Sequence, residues 1–174
     1  LTVKLENEFL PFLYPNQYVN FSPDSEASKL ALSMVSENTS DIDALKQIYN
    51  YVVNNLSYDY DKAETVETGY LPDVDETLST KTGICFDYAA LTTAMLRSCD
   101  IPCKLQIGYT GDIKHAWIDV YIRSKGWVTN AVSFNGDSWS LMDPTFDSSA
   151  DSDDSEAIQD YIGNADNYTV QFTR

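Results

Sequence analysis

Between Asp87 and Arg97 the chain carries no charge: Tyr88, Ala89, Ala90, Leu91, Thr92, Thr93, Ala94, Met95 and Leu96 follow one another without Gly or Pro. This run reads as a helix, and a helix apolar on nearly every side must be buried on nearly every side. The rest of the chain therefore has to supply walls for it. Pro102 disfavours helix at the residue before it, so the segment stops near Asp100.

Two helices are expected ahead of it. Ser22 reads as an N-cap with Pro23 in the first helical position, followed by Ala27, Leu30, Ala31, Met34 and Val35 at helical spacing. Ser40 opens the second, whose stripe is Ile42, Leu45, Ile48, Val52 and Leu56. Residues 1–21, broken by Pro11 and Pro15, read as an extended lead-in. From Tyr58 to Lys81 the chain is polar and acidic and reads as a long surface connection. It leads directly into the buried helix, so its end is expected to border whatever site that helix carries. After Pro102 the pattern turns to strands over 104–109, 115–122, 127–134, 139–142 and 168–172, with Asn135-Gly136 a turn signal. Helices first and strands second indicate an α+β fold. The expected arrangement is N-terminal helices and a buried helix packed on an antiparallel sheet.

The 174 residues suit a single domain over 1–174, ending in an acidic extension over 147–174. With 11 Lys+Arg against 27 Asp+Glu, the net charge of −16 repels phosphate backbones and anionic lipid, so nucleic-acid and membrane partners are not expected. No apolar run approaches the roughly 18 residues of a spanning helix. The chain opens on Leu1 without a signal-like start and reads as mature or excised. Its composition suits an extracellular or cell-surface protein, a monomer or part of a larger surface protein.

Three cysteines, Cys85, Cys99 and Cys103, leave at least one free thiol. Cys99 and Cys103 flank the helix-to-strand turn, where buried thiols fit and a disulfide in an oxidising compartment stays open. One His and three Cys at this spacing match no zinc pattern. Asp151, Asp153 and Asp154 are succeeded by Ala157 and Ile158, without the Gly and ligand pattern of a calcium loop. No metal and no cofactor are expected.

Cys85 comes two residues after Gly83 and falls in the first turn of the buried helix. Helix N-termini favour anions, so the thiol is expected to titrate below its ordinary range. A nucleophilic Cys needs a base, and the chain has a single histidine, His115, near a strand start. Asp143, opening Asp143-Pro144-Thr145, can orient the imidazole. Taken singly, each has a plainer role: a core thiol, a structural histidine, a turn-initiating Asp.

Five blocks in order, Gly83-Ile84-Cys85-Phe86-Asp87-Tyr88-Ala89, Leu96-Arg97-Ser98-Cys99-Asp100-Ile101-Pro102, Gly108-Tyr109, His115-Ala116-Trp117 and Asp143-Pro144-Thr145, resemble the transglutaminase-like superfamily. The motif-bearing core spans about 42–147, and Leu56-Ser57-Tyr58-Asp59 resembles the family's segment before the catalytic helix. The resemblance implies a papain-like fold and a triad of Cys85, His115 and Asp143. It also implies a secreted bacterial branch and acyl transfer on a protein or peptide amide. One departure concerns the segment Trp127–Asn135, which stands between the His and Asp strands. Either 127–137 is an excursion and 139–142 still pairs beside the His strand, which is the expectation, or the orienting residue is Asp137 or Asn135. Tyr58 and Asn55 are the candidate side-chain donors to an oxyanion. A non-catalytic binding module that keeps the fold is the alternative function.

Overall fold

The computed structural model describes residues 7–110, 113–135, 138–141 and 168–174. In chain order they form a 3-10 turn (Leu10–Phe12), α1 (Glu26–Met34), α2 (Asp41–Asn55), β1 (Ser57–Tyr58), α3 (Tyr60–Thr65), α4 (Val74–Thr80), β2 (Thr82–Gly83) and α5 (Cys85–Ser98). The strands β3 (Cys103–Thr110), β4 (Ile113–Ile122), β5 (Gly126–Asn135), β6 (Ser138–Leu141) and β7 (Tyr168–Thr173) complete the order. The fold is α+β, as the order of patterns requires.

The uncharged run becomes α5, and every residue from Asp87 to Arg97 is buried. On one side it packs against α1, α2 and α4, on the other against β3 and β4. Leu91, Ala94, Met95 and Leu96 are fully enclosed, between Leu45, Ile48 and Val52 of α2 and Leu105, Ile118, Val120 and Ile122 of the sheet. Burial of each large aliphatic side chain contributes roughly 1.5–3 kcal/mol, so this helix is the axis about which the domain is organised.

Local chemistry moves several boundaries. α2 begins where expected, with Ser40 Oγ accepting from the Asp43 N–H at 3.1 Å. α1 begins three residues after Ser22's expected cap position because Ser22 closes a turn instead: its Oγ accepts from the Asp24 N–H. Ser25 becomes the N-cap, and the first-turn N–H of Ala27 is satisfied by Asp75 Oδ1 of α4 at 3.0 Å. The 58–81 connection is not a plain loop. Asp59 caps α3 through the Lys62 N–H and Asp73 caps α4 through the Asp75 and Glu76 N–H groups. The lead-in is not simply extended either: it makes the 3-10 turn, and Phe9 and Phe12 pack on the ring of Trp127.

A second buried charge holds the opposite end of α5. Arg97 is 2% exposed and forms no ion pair with an Asp or Glu side chain among the described residues. Its guanidinium donates to carbonyls instead: Cys103 O at 3.0 and 2.8 Å, Tyr14 O at 2.7 Å and Arg174 O at 3.0 Å. One side chain thus joins the lead-in, the helix end, β3 and the residue just after β7.

The antiparallel sheet runs β6-β5-β4-β3-β7. This corrects one expectation: 127–135 is no excursion but a full strand between β4 and β6. It pairs along one edge with β4 and along the other with β6. β6 accordingly pairs with β5, Asn135 opposite Ser138 and Leu141 opposite Val132. Along β4 the partner of Val132 is Ile118, so β6 runs away from the His115 end of the sheet. β7 comes from far along the chain to close the other edge beside β3. Gly108 makes that approach feasible, because a Cβ there would sit 2.0 Å from the Thr169 carbonyl oxygen.

The clamp at Arg97 is expected to be a main stabiliser. Arg97→Met should lower the unfolding free energy by about 3 kcal/mol, since it strands buried carbonyls without donors. Arg97→Lys should restore less than half, lacking the forked donor geometry. Urea denaturation followed by circular dichroism checks both; an Arg97→Met protein as stable as wild type would show that the carbonyls find water instead.

Candidate active site

The site is built at the start of α5. β2, just before it, pairs parallel with β1: Ser57 N–H donates to Lys81 O at 2.8 Å and Asp59 N–H to Gly83 O at 2.9 Å. This short ladder sets Tyr58 beside the helix start. The N-cap position is Ile84, which has no side-chain acceptor of its own, and its N–H donates to Asp87 Oδ2 at 2.8 Å. Asp87 thus caps from inside the first turn. Gly83 is required by that cap and not by an unusual φ: a Cβ there would lie 2.7 Å from Asp87 Cβ and 3.0 Å from Oδ2.

Asp87 is 0% exposed, and two side chains from the 58–81 connection reach it. Lys62 Nζ lies 2.8 Å from Oδ2, and the Tyr70 hydroxyl donates to Oδ1. Lys62 also donates to the Tyr70 oxygen at 2.7 Å. Burial opposes the Lys62 charge, but the bonds to Asp87 and Tyr70 outweigh it and hold its pKa above the ordinary value. Burial, reinforced by the bond to Asp87, pushes the Tyr70 hydroxyl up to about 12. Neither Lys62 nor Tyr70 is legible as a site residue in the sequence, since both sit in a polar stretch without a motif. Their only signal is a position in the segment that leads into the helix.

Cys85 is the first residue of α5 and is half-buried. The backbone N–H groups of Ala116, Phe86 and Cys85 itself favour the thiolate form of its sulfur. Two belong to the helix start, and the third belongs to the residue after His115 on β4. Cys85, His115 and Tyr58 line one cleft of about 230 Å³, together with Phe86, Ile107 and the 66–70 part of the connection. The connection therefore does border the site.

The electrostatics differ from the sequence-based expectation. Burial pushes the Cys85 thiol up, and the Asp87 charge adds to this; the three N–H groups pull the other way but do not prevail. Burial also holds His115 below its ordinary value of 6.5. Both directions favour a neutral thiol beside a neutral imidazole. The imidazole Nδ1 is buried and has no hydrogen-bond partner among the described residues.

The two oxyanion candidates separate. Burial pushes the Tyr58 hydroxyl up to about 12, and Tyr58 lines the cleft with Cys85. Asn55 is exposed at the end of α2, where its amide donates to Tyr51 O at 2.8 Å; it does not line the cleft. Asp143 and Asp137 lie outside the described residues. Continuing the β4–β5 ladder two residues beyond Trp117–Ser133 puts Asn135 opposite His115. Cys99 and Cys103 are free thiols and not a disulfide. Burial pushes the first up to about 11 and the second up to about 12. Among the described residues no cluster of His, Cys, Asp and Glu could hold a metal ion, and no helix is long and apolar enough to cross a membrane.

Residues 28–144 match the family model of the transglutaminase-like superfamily, so the match takes in most of α1 as well as the motif-bearing segment. Over 150 residues the chain is 26% identical to YebA of Bacillus subtilis, covering 73% of this chain and 20% of that protein. Over 62 residues it is 40% identical to the UPF0252 protein MJ1282 of Methanocaldococcus jannaschii, covering 33% of this chain and 18% of that one. The chain thus spans about a fifth of the length of these curated relatives. Among solved structures it is similar to a candidate cysteine protease of Cytophaga hutchinsonii, with a TM-score of 0.56 and 24% identity over 71% of this chain and 41% of that one. It is also similar to a candidate protease of Parabacteroides distasonis, with a TM-score of 0.50 and 20% identity over 61% of this chain and 24% of that one. These two likenesses concern the fold.

Because Cys85 alone among the three thiols lines the cleft, iodoacetamide at neutral pH should alkylate it at least tenfold faster than Cys99 or Cys103, as mapped by mass spectrometry. Gly83→Ala should slow that alkylation and lower thermal stability together, since the added methyl displaces Asp87 from the helix start.

Proposed function

The chain belongs to the transglutaminase-like superfamily, and from that premise we propose that it is a cysteine-dependent acyl-transfer enzyme acting on a protein or peptide amide. The observation that carries the reading is the shared lining of one cleft by Cys85, His115 and Ala116. It ties the thiol at the start of the buried helix to the backbone beside the chain's single histidine, inside one cleft.

In this reading the resting pair is neutral, as the two burial effects favour. His115 removes the thiol proton as Cys85 Sγ attacks the carbonyl carbon, forming an S–C bond and an oxyanion. The Cys85 N–H and the Tyr58 hydroxyl are the proposed donors to that oxyanion. Imidazolium then protonates the leaving nitrogen, the C–N bond breaks, and a thioester remains. Water or a second amine, deprotonated by the neutral imidazole, resolves it and returns the proton to Cys85. Hydrolysis and amine transfer share every step but the last. The acidic surface suits a substrate outside the cell or at its surface and disfavours polyanions.

The second imidazole nitrogen needs an acceptor. The resemblance supplies Asp143, and the strand register supports Asn135. The pair of variants Asp143→Ala and Asn135→Ala separates them: the one that supplies the acceptor should lose about a thousandfold in kcat/KM with little change in stability, and the other should stay near wild type.

Release of ammonia or new amino termini from a peptide library tests the reading as a whole. Cys85→Ala and His115→Ala should each abolish release. The imidazole must be neutral to accept the proton, and its pKa lies below 6.5. Turnover should therefore persist to a lower pH than an ordinary imidazole allows and fall only below the lowered pKa. A folded wild-type protein that forms no thioester with any amide, yet retains ligands in the cleft, would favour the binding-module alternative.

A further inference from the structure

We propose that Lys62 is a positioning residue for Cys85, acting through the Asp87 carboxylate, and that Lys62 and Tyr70 together fasten one wall of the cleft to the start of α5. The inference rests on the acyl-transfer reading only in taking Cys85 as the reactive thiol.

Three groups converge on one buried carboxylate. Asp87 is fully buried two residues after Cys85, and the groups on its carboxylate are the Ile84 N–H, Lys62 Nζ and the Tyr70 hydroxyl. Lys62 and Tyr70 are eight residues apart and also bond to each other. The chain between them is thereby closed into a loop whose two ends sit on one carboxylate. Ala63 and Val66 to Gly69, which line the cleft, all belong to that loop. The shape of this wall thus depends on the Asp87 carboxylate staying in place.

Charge gives Lys62 a second effect. A lone carboxylate in the first turn would stabilise the helix, yet its negative charge opposes a thiolate at Cys85. Lys62 supplies the compensating positive charge at 2.8 Å, so Asp87 can cap the helix while its field at the sulfur is reduced. The other titratable groups around Cys85 are Lys114 and His115 from β4, Tyr58 from β1, and Glu67 and Tyr70 from the connection. Lys62 differs from all of these in being the cation bonded to the carboxylate nearest in sequence to the thiol. Because Lys62 acts on the sulfur through Asp87, its effect falls at the lower end of the about 1–3 pH units that a directly adjacent charge produces.

The test is the pH dependence of Cys85 alkylation by iodoacetamide, which needs no substrate and no turnover. In Lys62→Gln the midpoint should rise by about one pH unit, making alkylation about tenfold slower at about pH 7–8. Lys62→Arg should stay within a few tenths of wild type. The double variant Lys62→Gln/Asp87→Asn should return to the wild-type midpoint or below it. Should Lys62→Gln fail to fold, Asp87→Asn alone carries the test, with an expected fall of about one unit. A Lys62→Gln midpoint equal to wild type, even with a lower melting temperature, would overturn the proposal. So would a double variant shifted as far as the single one, or an unmoved midpoint in Asp87→Asn. A protein that is catalytically silent but shows the expected shifts would refute the acyl-transfer reading and leave the role of Lys62 standing.

Discussion

Burial of α5 on all sides is the constraint on which the rest of the structure depends. A helix with no solvent face has to be wrapped by α1, α2 and α4 on one side and by β3 and β4 on the other. Its two ends then become the places where backbone polar groups need partners, because water is excluded along its length. Each end carries a buried ionic side chain. Asp87 accepts from the Ile84 N–H at the start, and Arg97 donates to the Cys103 carbonyl of β3 just past the end. The signs agree with the helix dipole, negative at the start and positive at the finish. This orientation lets two charges lie in the interior without opposing the element that carries them.

Those two ends have different consequences. Arg97 gathers four segments of backbone and is a matter of stability. Asp87 lies beside the thiol and is a matter of chemistry as well. A carboxylate at a helix start satisfies the backbone but works against a neighbouring thiolate. The molecule meets this conflict by drawing Lys62 in from the preceding connection. The same bond fixes the wall of the cleft, so cap, charge balance and cleft shape share one buried group.

The neutral thiol and imidazole pair results from the same enclosure. Burial penalises the charged form of both groups, raising Cys85 and lowering His115. The N–H groups of Cys85, Phe86 and Ala116 moderate this at the sulfur without reversing it. In the proposed acyl-transfer reading, such a site would hold Cys85 protonated until a carbonyl carbon is in place and the proton can move to His115.

The sequence by itself determined the elements whose cause is local. The uncharged run of α5, the Ser40 cap of α2 and the alternation and turn signals of the strands each rest on neighbours a few residues away, and each appears near its expected place. Cys85 and His115, which line one cleft, were legible as candidates because the chain offers a single histidine and a single cysteine at a helix start. The decisions that tertiary structure made concern long separations. Asp75 satisfying the Ala27 N–H of α1, β5 standing between β4 and β6, and Lys62 reaching Asp87 all join groups that no short window contains. The direction of the Cys85 shift belongs with them. A helix start favours the thiolate whatever surrounds it, but the degree of burial and the placement of Asp87 are set by packing, and here packing outweighs the helix.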